Sequence, residues 1–129
     1  MSNSSGDAAF LPHEHGSARA RLVAERADTI AQIAGLSRDY AEIIEANTLV
    51  AIDDEHDPDG SNTAFERAQI ASLLAQARER LTELDQARER LEQGRYGRCE
   101  GCGEPIPAER LEVRPAASTC VRCAAARPR

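Results

Sequence analysis

Apolar side chains recur along two long stretches of the chain at alternating steps of three and four residues. In the first, from about Ala18 to Val50, Ile33, Leu36, Tyr40 and Ile43 follow steps of 3, 4 and 3, and the frame runs on through Asn47 to Val50. Leu22 and Ile30 lie close to this stripe upstream. The spacing is that of a helix with one apolar seam, as in a coiled coil. Gly35 interrupts it at a cost of about 1 kcal/mol relative to Ala, which does not end a helix. In the second, from about Asn62 to Gln93, Ile70, Leu74, Ala77, Leu81, Leu84 and Leu91 keep the frame, and Arg88 falls in it with a stem that can lie along the seam. Ser61 or Asn62 suits the start of this helix and Gly94 the position beyond its end. The pattern thus predicts two helices of about 32 to 35 residues, each roughly 50 Å long.

Between them runs Ile52-Asp53-Asp54-Glu55-His56-Asp57-Pro58-Asp59-Gly60-Ser61, where Pro58 and Gly60 are turn residues. Helices of equal length joined by a short polar connection predict an antiparallel hairpin. Its tip, residues 52–61, carries the carboxylates Asp53, Asp54, Glu55, Asp57 and Asp59. Such a cluster serves either as a solvated turn favouring the next helix through its dipole or as an acidic probe for a metal ion or a basic surface. The opening MSNSSGDAAFLPHEHG has no period and reads as a disordered tail over residues 1–17. His13 and His15 stand there without a Cys or carboxylate frame, too few ligands for a metal.

Composition narrows the fold further. Aromatic residues make up 3% of the 129-residue chain and charged residues 29%, leaving little bulky apolar material for a thick core or a deep ligand pocket. The fold class expected is mainly α: a long antiparallel coiled-coil hairpin over residues 18–94, monomeric, followed by a small module over 95–129. The net charge of -6 opposes general nucleic-acid coating. It is unevenly placed, with 9 Arg against 18 acids up to residue 94 and 7 Arg against 4 acids after it. No run of apolar residues is long enough to span a membrane, and no secretory h-region opens the chain, so a cytoplasmic protein with reduced thiols is expected.

The strongest chemical signal lies in the C-terminal module. Cys99-Glu100-Gly101-Cys102 and Cys120-Val121-Arg122-Cys123 are two Cys-x-x-Cys knuckles with 17 residues between Cys102 and Cys120. Four soft thiolates in this arrangement are the ligand set of a closed tetrahedral Zn²⁺ site, ahead of an iron centre or a thiol redox pair. With four protein ligands no position stays open for water, so one structural zinc is expected. Gly101 and Gly103 allow a tight backbone whose N–H groups soften the thiolate charge. Ile106, Leu111 and Val113 are the candidate apolar cluster of this finger, with Tyr96 at its edge. Metal binding should supply most of the folding free energy of so small a module, and stripping it should leave the hairpin helical. Arg95, Arg98, Arg110 and Arg114, with Arg122, give a basic surface suited to solvation or to docking on an acidic patch or phosphate.

The stretch Gly94-Arg95-Tyr96-Gly97-Arg98-Cys99-Glu100-Gly101-Cys102-Gly103, then Ile106, then Arg110-Leu111-Glu112-Val113-Arg114-Pro115 and finally Cys120 to Cys123 resembles the zinc finger of the DksA/TraR family. With the preceding hairpin, the resemblance covers roughly residues 18–123. It implies a bacterial regulator that binds RNA polymerase without recognising a DNA sequence. The hairpin would enter the secondary channel, bring the tip near the catalytic Mg²⁺ and leave the finger at the channel mouth. It also implies altered promoter-complex stability, in some members together with ppGpp. Family tips carry Asp-x-x-Asp-x-Ala; here Asp54 and Asp57 keep the spacing and Asp59 takes the third position. Six residues follow Cys123, where longer members continue into a C-terminal helix to which an alarmone response can belong.

The function expected is therefore non-enzymatic regulation of transcription initiation through the polymerase secondary channel, with Asp54, Asp57 and Asp59 as the active-centre contact. Two alternatives come from other classes. One is a transcript-cleavage-stimulating factor whose tip carboxylates help hold a second metal ion. The other is a zinc-stapled adaptor that binds DNA or protein through its basic finger. No Ser-His-Asp set, Walker loop or Rossmann glycine pattern suggests a stand-alone enzyme.

Overall fold

The computed structural model describes residues 12–53 and 60–126. Helix α1 runs from Pro12 to Asp53 and α2 from Gly60 to Glu92, followed by two short helices, α3 (Ala108–Val113) and α4 (Val121–Ala126). Among the described residues the only β-type pairing is an isolated antiparallel bridge between Arg98 and Pro105. The fold is mainly helical, a long hairpin with a C-terminal four-cysteine module. No described helix is long and apolar enough to cross a membrane.

Helix α2 has the expected length, and α1 is longer than expected. Helix α1 has 42 residues and α2 has 33, spans of about 63 Å and about 50 Å at the usual rise. Helix α1 begins at Pro12 rather than Ala18, so residues 12–17, expected in the tail, are helical. Proline suits a first turn, where its missing N–H would have had no intrahelical acceptor. At the other end α1 continues through Asp53, inside the segment expected to turn. Residues 54–59 of that turn, with Asp54, Asp57 and Asp59, lie outside the described residues, as do residues 1–11 of the tail, and Gly60 and Ser61, also expected in the turn, already belong to α2. The end of α2 is closed as Gly94 suggested. Gly94 adopts φ +75°, its N–H reaches the Leu91 carbonyl (3.2 Å), and the Arg95 N–H reaches the Arg90 carbonyl (2.8 Å). This pair of bonds is a Schellman closure, which a residue in the left-handed region makes possible.

The chain divides into two compact units, one made of the described residues up to Ala27 together with those from Thr82 onward, the other of Asp28–Leu81. In Asp28–Leu81 the α1 stripe is half-buried at Ile33, Leu36, Tyr40, Ile43 and Asn47. The α2 stripe is buried at Leu74 and Ala77 and half-buried at Ile70 and Leu81. Arg80 Nη1 donates to Gln32 Oε1 across the pair (3.5 Å). Here Thr29, 1% exposed, occupies the seam, and Ile30, 43% exposed, does not. The two positions differ by one residue, and the steps from Leu22 to Thr29 to Ile33 keep the seam in phase where Ile30 would leave it.

In the other unit the buried cluster takes Ala18 and Leu22 from α1 and Leu84, Ala87 and Leu91 from α2. Tyr96, Cys99, Ile106, Leu111 and Ala117 complete it from the C-terminal module. Arg26 Nε donates to Asp85 Oδ1 (2.7 Å) between α1 and α2. Ala87 fills the seam between Leu84 and Leu91, and Arg88, expected there, is exposed. Val113, expected in the finger cluster, is 81% exposed, whereas Tyr96, expected at its edge, is buried within it. The reason for Val113 is local: α3 is one short helix that buries a single residue, Leu111, and Val113 lies on its other side.

Candidate metal centre

The four cysteines expected to bind metal are brought together by backbone turns. After Gly97, which has φ +86°, the chain passes through Arg98 and Cys99 and returns at Glu104 and Pro105. Cys99 N–H donates to the Glu104 carbonyl (2.8 Å), Gly103 N–H to the Cys99 carbonyl (2.9 Å), and Ile106 N–H to the Gly97 carbonyl (2.7 Å). Gly103 carries the reversal at φ +80°, a region favouring residues without a Cβ. The second knuckle opens α4, where Ala124 N–H bonds to the Cys120 carbonyl (2.9 Å). Glu100 N–H donates to the Ser118 carbonyl (2.8 Å), tying one knuckle to the approach of the other.

The Sγ atoms of Cys99, Cys102, Cys120 and Cys123 all lie within 4.8 Å of one another. Cys102 and Cys120 sulfurs are 3.9 Å apart. That spacing suits the corners of a tetrahedron around a cation with ligands at about 2.3 Å. The backbone supplies the softening contacts such sites need. Gly101 N–H and Cys120 N–H each point at the Cys99 sulfur at 3.3 Å. The Cys120 N–H above all, with further N–H groups of the knuckle, brings the Cys99 thiol down to about 6. Cys120 is also lowered, first by the Cys123 N–H. Cys123 is pushed up to about 12 by the crowding sulfurs of Cys99, Cys120 and Cys102. Bare thiols so close compete for protons, and a divalent cation at their centre reverses that competition by favouring four thiolates. A Cβ on Gly101 would lie 3.0 Å from Cys123 Sγ and 3.2 Å from its Cβ, so the missing side chain leaves the room this arrangement uses. Donor set, spacing and N–H contacts together fit one structural Zn²⁺.

The finger is held to its own frame by Tyr96, expected at its edge, and by Arg90. Tyr96 is 3% exposed, and its hydroxyl donates to the Pro115 carbonyl (2.7 Å). Burial pushes that hydroxyl above the usual tyrosine range, opposed by the charges of Arg21 and Arg90 and by a hydrogen bond from Arg21, and it stays protonated. Arg90 is 6% exposed, donates to the Ala116 carbonyl (3.4 Å) and lies 4.0 Å from Glu100. Sequence reasoning missed it, because the heptad frame pointed to Arg88.

Three of the four candidate docking arginines have partners within the chain. Arg98 Nη1 donates to the Gly103 carbonyl (2.9 Å) and Arg110 Nε to the Thr119 carbonyl (2.8 Å). Arg95 bonds Gln93 (3.0 Å) and lies 3.8 Å from Glu100. Arg114 is exposed, with its backbone N–H on the Arg110 carbonyl (2.7 Å). The basic charge of the finger therefore serves its loop architecture as well as its surface.

Comparison with known proteins agrees with this geometry. Residues 94–129 match the family described as prokaryotic dksA/traR C4-type zinc finger. The chain is 40% identical over 63 residues to the RNA polymerase-binding transcription factor DksA of Caulobacter vibrioides, covering 49% of this chain and 44% of that one. It is 38% identical over 66 residues to the uncharacterized protein YteA of Bacillus subtilis, covering 51% of this chain and 28% of that one. The matches thus span less than half the length of these relatives. The solved structure of transcription factor DksA2 from Pseudomonas aeruginosa superposes with a TM-score of 0.72 and 25% identity, covering 97% of this chain and 88% of that one. Residues 94–129 thus form a zinc finger of the dksA/traR C4 type, and the hairpin with its finger is similar in fold to the DksA2 transcription factor.

Proposed function

We propose that this protein is a non-enzymatic transcription regulator that binds RNA polymerase, its helical hairpin entering the secondary channel. The observation that carries the reading is the likeness to the DksA2 structure over 97% of the chain, hairpin and finger together. A Caulobacter relative described as RNA polymerase-binding supports it. On this reading Asp54, Asp57 and Asp59 meet the active centre, and the zinc holds the finger closed without touching substrate.

The test is a pull-down of RNA polymerase by the zinc-loaded chain, paired with promoter-complex lifetimes. The wild type should retain polymerase and change the lifetime. The triple variant Asp54→Ala, Asp57→Ala, Asp59→Ala should still bind and lose the effect on lifetime. A wild type that retains no polymerase would overturn the reading, and a triple variant with an undiminished effect would remove the tip from it. Cleavage of backtracked transcripts on addition of the protein would favour the cleavage-factor alternative.

A further inference from the structure

A metal module carried as an appendage would leave the hairpin to bury its own seam. Burial along α1 follows a different rule. In Asp28–Leu81 the seam residues Ile33, Leu36, Tyr40 and Ile43 are only half-buried. Ala18 and Leu22, in the unit that contains the finger, are both 0% exposed. Thr29, Leu74 and Ala77 are also buried in Asp28–Leu81, so what sets Ala18 and Leu22 apart is the cluster they join rather than enclosure alone. The cluster that encloses Ala18 and Leu22 includes Tyr96, Ile106 and Leu111 of the finger, and one zinc ligand, Cys99, is itself a buried member of it. The Arg21 guanidinium, next to Leu22, places its charge beside the buried Tyr96 hydroxyl. Arg26, one turn further, is held by Asp85 at 2.7 Å.

We propose that residues 15–27 of α1 fold as part of the zinc site, with Leu22 and Ala18 as remote positioning residues for the metal. Zinc orders the knuckles, the ordered knuckles present Tyr96, Cys99, Ile106 and Leu111 as one apolar face, and that face fixes this segment of α1. Because linkage is reciprocal, loosening the segment weakens zinc binding as surely as removing zinc loosens the segment. The inference does not depend on polymerase binding, and its test uses none.

Zinc affinity of the full-length reduced protein is measured by competition with a chromophoric chelator. Leu22→Ala should weaken it by about tenfold or more, as expected when a buried leucine in a metal-linked core is truncated. Leu74→Ala removes a comparable side chain, 6% exposed, from Asp28–Leu81, and should leave zinc affinity unchanged. So should Val23→Ala, beside Leu22 but 55% exposed. A second measurement needs no variant: hydrogen exchange of the wild type with and without zinc. Amides of 15–27 should lose protection together with those of 95–126, and those of 62–81 should keep theirs. Equal zinc affinities for Leu22→Ala and Leu74→Ala, or full protection of 15–27 without zinc, would overturn the proposal.

Discussion

Two glycines show how differently a missing side chain acts. Gly94 stands at φ +75°, and a Cβ there would meet nothing within 4 Å, so its requirement is one of backbone conformation alone. Gly94→Ala should destabilise the protein by about 1 kcal/mol, the cost of an L residue in the left-handed region, while zinc affinity stays unchanged; urea unfolding and chelator competition check the two halves. Gly101 presents the steric case, since its Cβ would crowd Cys123 Sγ at 3.0 Å. Gly101→Ala should weaken zinc binding because the sulfur must shift from its corner of the tetrahedron. Tyr96→Phe keeps the ring and leaves the buried Pro115 carbonyl without its 2.7 Å donor. It should cost about 1 to 3 kcal/mol, read as a lower midpoint of thermal unfolding. The metal ligands were legible residue by residue because the chemistry fixes both type and spacing. Tyr96 as a core member was not, because its burial depends on Pro115, far from it in sequence.

At the scale of elements, the existence of both long helices followed from the apolar period, and the closure at Gly94 from a glycine just past the last seam residue. The period left the phase open wherever the seam is lined by small or polar side chains. Thr29 and Ala87 occupy the seam, yet neither stands out in a hydrophobic pattern beside Ile30 and Arg88. The start of α1 was displaced for a related reason: the turns before Ala18 contain few large apolar residues, and their helical state shows only through proline at the first position. Substitution separates the two phases. Ala87→Leu should overpack the base of the hairpin by about 1 to 3 kcal/mol, whereas Arg88→Ala should change stability by less than about 0.5 kcal/mol. Urea unfolding of the zinc-loaded proteins checks both, and the reverse ranking would restore Arg88 to the seam.

For the whole molecule, the fold class was legible because composition, period and cysteine spacing agree: few aromatic residues, two seams and four thiolates leave a helical hairpin with a stapled module. The sharing of one core by finger and α1 was not legible, since the side chains concerned are distant in sequence and each belongs to an unremarkable local pattern. The acidic segment between the helices is where the proposed function concentrates, and its carboxylates are known from the sequence alone. Entry of the hairpin into the polymerase secondary channel, as proposed, is checked by binding of the zinc-loaded chain to RNA polymerase in competition with a factor that occupies that channel. The two should displace one another at matched occupancy and independently of DNA. Simultaneous binding of both factors, or no binding of this chain, would contradict it.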